Sequence, residues 1–272
     1  SGANYAVSVG RNLTIATGQV YTARAGTVTM TGTGTLTSSG NVFYALSVSG
    51  TGSVTPQDTT SVSQNFSIAS GGSWTHNGQT LAFTTGTAGT ITDGNAVPVN
   101  LGAVTVSGTN KTMVSALQMG SLTLSGSMST SASNYTLTVS GGLNASGGTL
   151  NLNSGGTVNV GGDLTFNAGT TINNASGSTL VLNGGGSQVV TGAGQTLGSV
   201  STSGAGTVVT QVGTLTLANK LTVGVGTTYT LGVSAGGSLT VNSATGIDDV
   251  RVDGQLRLDG TAGAVTLTVA GG

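Results

Sequence analysis

The chain has 272 residues, of which 5% are charged, with a net charge of −1 and no cysteine. Soluble domains usually carry about 25% charged residues. Six Lys and Arg against seven Asp, with no Glu, provide no basic field for nucleic acid or anionic lipid. The missing cysteines exclude disulfides and thiolate metal sites.

Gly, Ser and Thr make up almost half the chain, yet Val, Leu and Ile recur through every stretch, so the apolar content needed for folding is present. Thr and Val dominate and Gly interrupts every few residues, which argues for strands and against helices. No apolar run approaches the ~20 residues of a helical membrane span, so no membrane insertion is expected. The first residue is Ser1 rather than Met, as in a processed, secreted product.

In chain order, Tyr5, Val7 and Val9 alternate within the first ten residues and read as a short strand. Thr27-Val28-Thr29-Met30-Thr31 and Thr35-Leu36-Thr37 follow as further strands. Residues 55–64 read as a loop, because Pro56 cannot donate to a ladder. Residues 86–96, with Asp93-Gly94, read as a second loop excursion. The clearest run is Leu150-Asn151-Leu152, Val158-Asn159-Val160, Leu164-Thr165-Phe166, Ile172 and Leu180-Val181-Leu182, with Gly, Ser and Asn pairs suited to corners between them.

A longer period lies above these strands. Leu122 to Leu143 and Leu143 to Leu164 are 21 residues apart. Leu150 to Ile172, Val158 to Leu180 and Leu217 to Leu239 are 22 apart. Three short strands per coil of about 22 residues predict a parallel β-helix, a β-solenoid of about twelve coils and roughly 60 Å. Leu150 and Leu152 then face inward and Asn151 outward. Parallel-crossover rules favour a right-handed coil. The expected organisation is a single solenoid domain over residues 1–272, with residues 1–25 as a terminal coil or inter-subunit contact. A β-sandwich or jelly roll is the competing all-β fold, and Asp253-Gly254 between Val250-Arg251-Val252 and Leu256-Arg257-Leu258 could form a hairpin turn within either.

Runs such as Ser140-Gly141-Gly142-Leu143, Gly148-Thr149-Leu150-Asn151-Leu152 and Gly161-Gly162-Asp163-Leu164-Thr165-Phe166 resemble the repeats of secreted microbial surface β-solenoids. The passengers of filamentous-haemagglutinin-type and autotransporter adhesins are examples. The likeness covers residues 115–245 well and the rest loosely. It implies an extracellular or cell-surface role in attachment or assembly, without a cofactor.

Catalytic constellations are sparse. His76, beside Trp74, is the only histidine, and a triad would need it next to a nucleophile and a carboxylate. A solenoid lyase or glycosidase needs paired acids or calcium-binding acids on one face. Of the seven acids, only Asp248, Asp249, Asp253 and Asp259 cluster, interleaved with Arg251 and Arg257 as a solvated outward face would be. Gly184-Gly185-Gly186 lacks the Lys-Ser/Thr of a phosphate loop. Six Asn-x-Ser/Thr sequons, at Asn12, Asn65, Asn110, Asn134, Asn144 and Asn174, match chance in so Ser- and Thr-rich a chain. An ice-binding face would need Thr-x-Thr in register on every coil, whereas residues 143–182 carry Asn and mixed residues outward.

No catalytic, cofactor-binding or metal-binding residue is therefore assigned, and no enzyme is expected. The expected function is a structural subunit of an extracellular filament or surface layer. Copies of the chain would join head to tail, Tyr5, Val7 and Val9 of one meeting Val265, Leu267 and Val269 of the next. The alternative is a monomeric adhesin or phage-fibre rod that presents residues 55–64 or 86–96 to a glycan or host surface.

Overall fold

The computed structural model describes residues 4–22, 24–84, 88–108, 110–130, 133–152, 155–174, 177–232, 237–242, 249–259 and 264–270, with the side chains of 173 and 174 left out. The fold is all-β, without helix among the described residues, its parallel sheets stacked as a β-solenoid of about ten turns with repeats of roughly 21 residues. The lengths of the turns vary around this repeat. Register partners lie 17 residues apart at Lys111 and Met128, but 29 apart at Leu221 and Val250. Residues 1–129 and 130–272 form two compact units.

In residues 1–129, Val28, Leu46, Phe66, Ile91 and Met113 are successive partners across five parallel strands, and none is more than 1% exposed. Alternation along each strand explains this interior column, since every second side chain points inward. Burying each such side chain contributes about 1.5–3 kcal/mol. Phe66 packs edge-on against Trp74 and Phe83, thickening the core at this level. A parallel column, Met30, Val48 and Ile68, continues to Asp93, an acid only 3% exposed.

Residues 55–64 and the described part of 86–96 are loops only in part, and residues 86 and 87 lie outside the described residues. Ser53–Pro56, Thr60–Val62 and Gly89–Asp93 are strands. Pro56 is tolerated because Val54 pairs with Trp74, the last residue of its strand, so the position opposite Pro56 lies beyond the ladder. In the second stretch, the Asp93 carboxylate accepts bonds from the backbone N–H groups of Asn95 (3.0 Å) and Val99 (2.6 Å), so the turn is tied inward.

In residues 130–272, Leu137, Val158, Leu180, Val200 and Leu221 form the corresponding column. The expected offsets Leu143 to Leu164, Leu150 to Ile172 and Val158 to Leu180 are register pairs. The offset Leu217 to Leu239 is not. Leu239 pairs with Leu215, and Leu217 with Val241, so this turn is two residues longer. A shift of two preserves which face each residue occupies, so the hydrophobic pattern did not reveal it. The Asp253-Gly254 turn is not a hairpin either. Val250–Val252 pairs parallel with Leu221–Val223, and Gln255–Leu258 pairs parallel with Thr228–Leu231.

Polar side chains tie neighbouring coils at the corners. Asp58 accepts from the backbone N–H groups of Ser38 (2.9 Å) and Ser39 (2.5 Å), which suits the left-handed backbone of Ser39 (φ 50°). Gln188 donates to the carbonyls of Val160 and Gly162 and accepts from Gly184 N–H, at 2.9, 2.6 and 2.9 Å.

Candidate functional site: the open coil faces

The strand Val7–Val9 pairs with Thr27–Met30 and forms one edge of its sheet; Leu13–Thr14 pairs with Thr33–Thr37 and forms another edge. Val250–Val252, Gln255–Leu258 and Thr266–Val269 are edges of three sheets at the other extreme of the described residues. Each edge leaves a row of backbone N–H and C=O groups outside the ladders among the described residues.

The interior columns run out to these edges. Leu231 and Val241 are fully buried, whereas their partners Leu258 and Val269 are 58% and 50% exposed. Val223 is fully buried and its partner Val252 is 43% exposed. At the other extreme Val28 is 1% exposed and its partner Val7 is 38% exposed. Side chains that would face the core one coil further in therefore meet solvent here, and another coil stacked on either face would bury them.

The six residues assigned to subunit contact divide by position. Tyr5 lies outside a strand and is the most exposed of them, at 75%. Val7 and Val9 carry the inward alternation on the first described coil, with Val9 half-buried. Leu267 and Val269 carry it on the last, and Val265 lies just before that strand. Tyr5 and Val7 also line a cleft of about 140 Å³ with Tyr21, Thr22, Arg24 and Gly26. Gly26 is required there, because a Cβ on it would collide with the Tyr5 carbonyl.

The two faces differ in charge. Residues 1–57 contain Arg11 and Arg24 and no acid, a sum of +2. Residues 221–272 contain Asp248, Asp249, Asp253 and Asp259 against Arg251 and Arg257, a sum of −2. Asp248 lies outside the described residues. The Arg251 Nε donates to Asp253 at 2.8 Å in an exposed pair, worth about 0–1 kcal/mol.

Other polar groups are engaged in the fold. The Nδ1 of His76 accepts from Gly78 N–H at 3.1 Å within its own turn. Asp163 accepts from Val189 N–H at 2.8 Å. No group of three His, Cys, Asp or Glu able to hold a metal occurs among the described residues. Asn12 and Asn65 use their side-chain oxygens to accept from Thr35 and Thr90 N–H on the next coil, both at 2.9 Å.

Outward hydroxyls form columns as well. Thr196, Thr216, Thr240 and Thr268 are register partners, while Thr138, Asn159, Val181 and Ser201 form a mixed column on another sheet. Adjacent hydroxyls bond directly at Ser47–Ser67 (3.0 Å) and Ser53–Ser73 (2.8 Å), so these columns also bind coil to coil.

Sequence reading missed the polar groups inside the solenoid. Lys111 is fully buried and donates from Nζ to the Ser63 carbonyl at 2.6 Å. Burial lowers its pKa from the ordinary lysine value. Tyr229 donates to Gln211 Oε1 at 2.9 Å, and the Gln211 Nε2 donates to the carbonyls of Gly213 and Ser238. Their one signal is position: Lys111 and Gln211 fall where the alternation calls for an inward residue.

No family model matches the chain, and no curated protein or solved structure matches it. The chain is a β-solenoid repeat protein.

Proposed function

We propose that this chain is a structural subunit of an extracellular filament or surface layer, whose copies associate through the open faces of their first and last described coils. The observation that carries this reading is the loss of burial along continuous columns: Leu231 to Leu258, Val241 to Val269 and Val28 to Val7. Stacking two such faces removes apolar surface from water and pairs the edge strands in one step. A net charge of −1 offers little overall repulsion between copies. The extracellular setting rests on the likeness of the repeats to secreted surface solenoids.

Negative-stain electron microscopy of the purified chain over a concentration series tests the assembly. Filaments or sheets that lengthen with concentration are expected, and deletion of residues 1–10 abolishes them. Monodisperse particles at every concentration would overturn the reading. Protease shaving of intact producing cells tests the location: an extracellular subunit is digested while cytoplasmic markers survive.

A further inference from the structure

The single histidine of the chain holds the backbone amide of an asparaginyl-glycine pair, and from this we propose that Asn77–Gly78 is a self-modifying site. Asn77 deamidates through a cyclic imide, with His76 as the general base. The chemistry does not depend on whether copies of the chain assemble.

His76, Asn77, Gly78 and Gln79 form a tight turn after the strand Ser73–Trp74, closed by Gln79 N–H donating to the His76 carbonyl at 2.7 Å. Asn77 and Gly78 both take the left-handed backbone, with φ of 50° and 72°, as the central pair of a type I′ turn does. Both are exposed, so water reaches the pair. Gly78 carries no side chain to shield its nitrogen, and open space surrounds its α-carbon.

The Gly78 N–H donates to the His76 Nδ1 at 3.1 Å. A general base must lie within about 2.6–3.2 Å of the proton's heavy atom, and this nitrogen does. The ring is held in place from one side. Gly102 of the next coil is buried and approaches so closely that a Cβ on it would lie 2.5 Å from the His76 Cγ.

The reaction consumes only water. The Gly78 amide proton passes to the His76 Nδ1, and the amide nitrogen bonds to the Asn77 side-chain carbonyl carbon. The tetrahedral carbon expels its amino group, which takes the proton back from the imidazole and leaves as ammonia. Water then opens the imide at one carbonyl or the other, leaving aspartate or isoaspartate in the turn. Either product adds a carboxylate to a chain whose net charge is −1.

The chain contains one other Asn-Gly pair, Asn183–Gly184, which is also exposed. Its glycine N–H donates to the Gln188 Oε1 at 2.9 Å. A carboxamide oxygen accepts that bond without taking the proton. The two pairs share sequence and exposure and differ in the group that faces the reacting nitrogen.

Peptide mass spectrometry of the folded wild-type protein, incubated in neutral buffer, compares the two sites directly. Asn77 is expected to deamidate at least about 10-fold faster than Asn183, a modest share of the ~10²–10⁴ that a general base contributes. In concentrated urea both pairs leave their turns, and the two rates should converge. His76→Gln removes the base and should bring Asn77 down to the rate of Asn183, with circular dichroism establishing that the variant is folded. If that variant does not fold, the ratio of the two wild-type rates, in buffer and in urea, decides alone. Equal rates in the folded protein, or a faster Asn183, overturn the proposal. So does a folded His76→Gln variant whose Asn77 deamidates as fast as that of wild type.

Discussion

Lys111 reaches Ser63, 48 residues back, across the coil that carries Gly89, its own register partner. A lysine can lie inside the solenoid here because Gly89 contributes no side chain at that level. A Cβ on Gly89 would meet the Gln64 carbonyl, so the same glycine also sets how closely the coils approach. Gly89→Ala should therefore destabilise the fold by ~1–3 kcal/mol through overpacking, read by urea denaturation. Tyr229 offers a pH-dependent counterpart. Burial raises its phenol above the ordinary value of 10.0, so the folded state keeps the proton after the unfolded chain has released it. The sign follows: its contribution is present in full below pH 10.0 and declines as pH rises beyond it. Tyr229→Phe should lose about 1–2 kcal/mol at pH 7, because Gln211 Oε1 loses its donor. The variant should then lose less than wild type does as pH rises above about 10. An equal alkaline loss in both would show that the phenol is not the group responsible.

At the scale of strands and coils, stability is concentrated where a single side chain serves several backbone groups. Gln188 satisfies Gly184 N–H and the carbonyls of Val160 and Gly162, linking two coils at a corner. Gln188→Ala should cost about 2–3 kcal/mol and speed hydrogen exchange at Gly184, while exchange in the strand Val7–Val9 stays unchanged. Leu217→Ala, in the fully buried interior, should cost about 2–5 kcal/mol by leaving a cavity. The strands themselves were legible in the sequence. Leu150, Leu152, Val158, Val160, Leu164, Phe166, Leu180 and Leu182 alternate as inward residues should, and all are buried. Ile172 is only half-buried. What was not legible depends on partners rather than on pattern. Turn residues at Asp253-Gly254 mark a corner but do not say which strand comes beside it. Pro56 signals a missing donor but not that no acceptor waits opposite. The two-residue difference between Leu217 and Leu239 leaves every face unchanged and so left no trace. Of the candidate site, the sequence indicated the alternating positions at both extremes, but the exposure of their columns became visible only against their buried partners.

Among the described residues, side chains on inward columns are exposed on the first and last described coils, at Val7, Val252, Leu258 and Val269. Under the proposed assembly, filaments should grow from purified protein alone, and their growth should depend on concentration. The most direct measurement is fibre diffraction from aligned filaments. Stacking of coil on coil across each joint predicts a strong meridional reflection at about 4.8 Å, the parallel-strand spacing, along the filament axis. Filaments joined side by side, or none at all, would place that reflection off the meridian or remove it, and would contradict association through the coil faces.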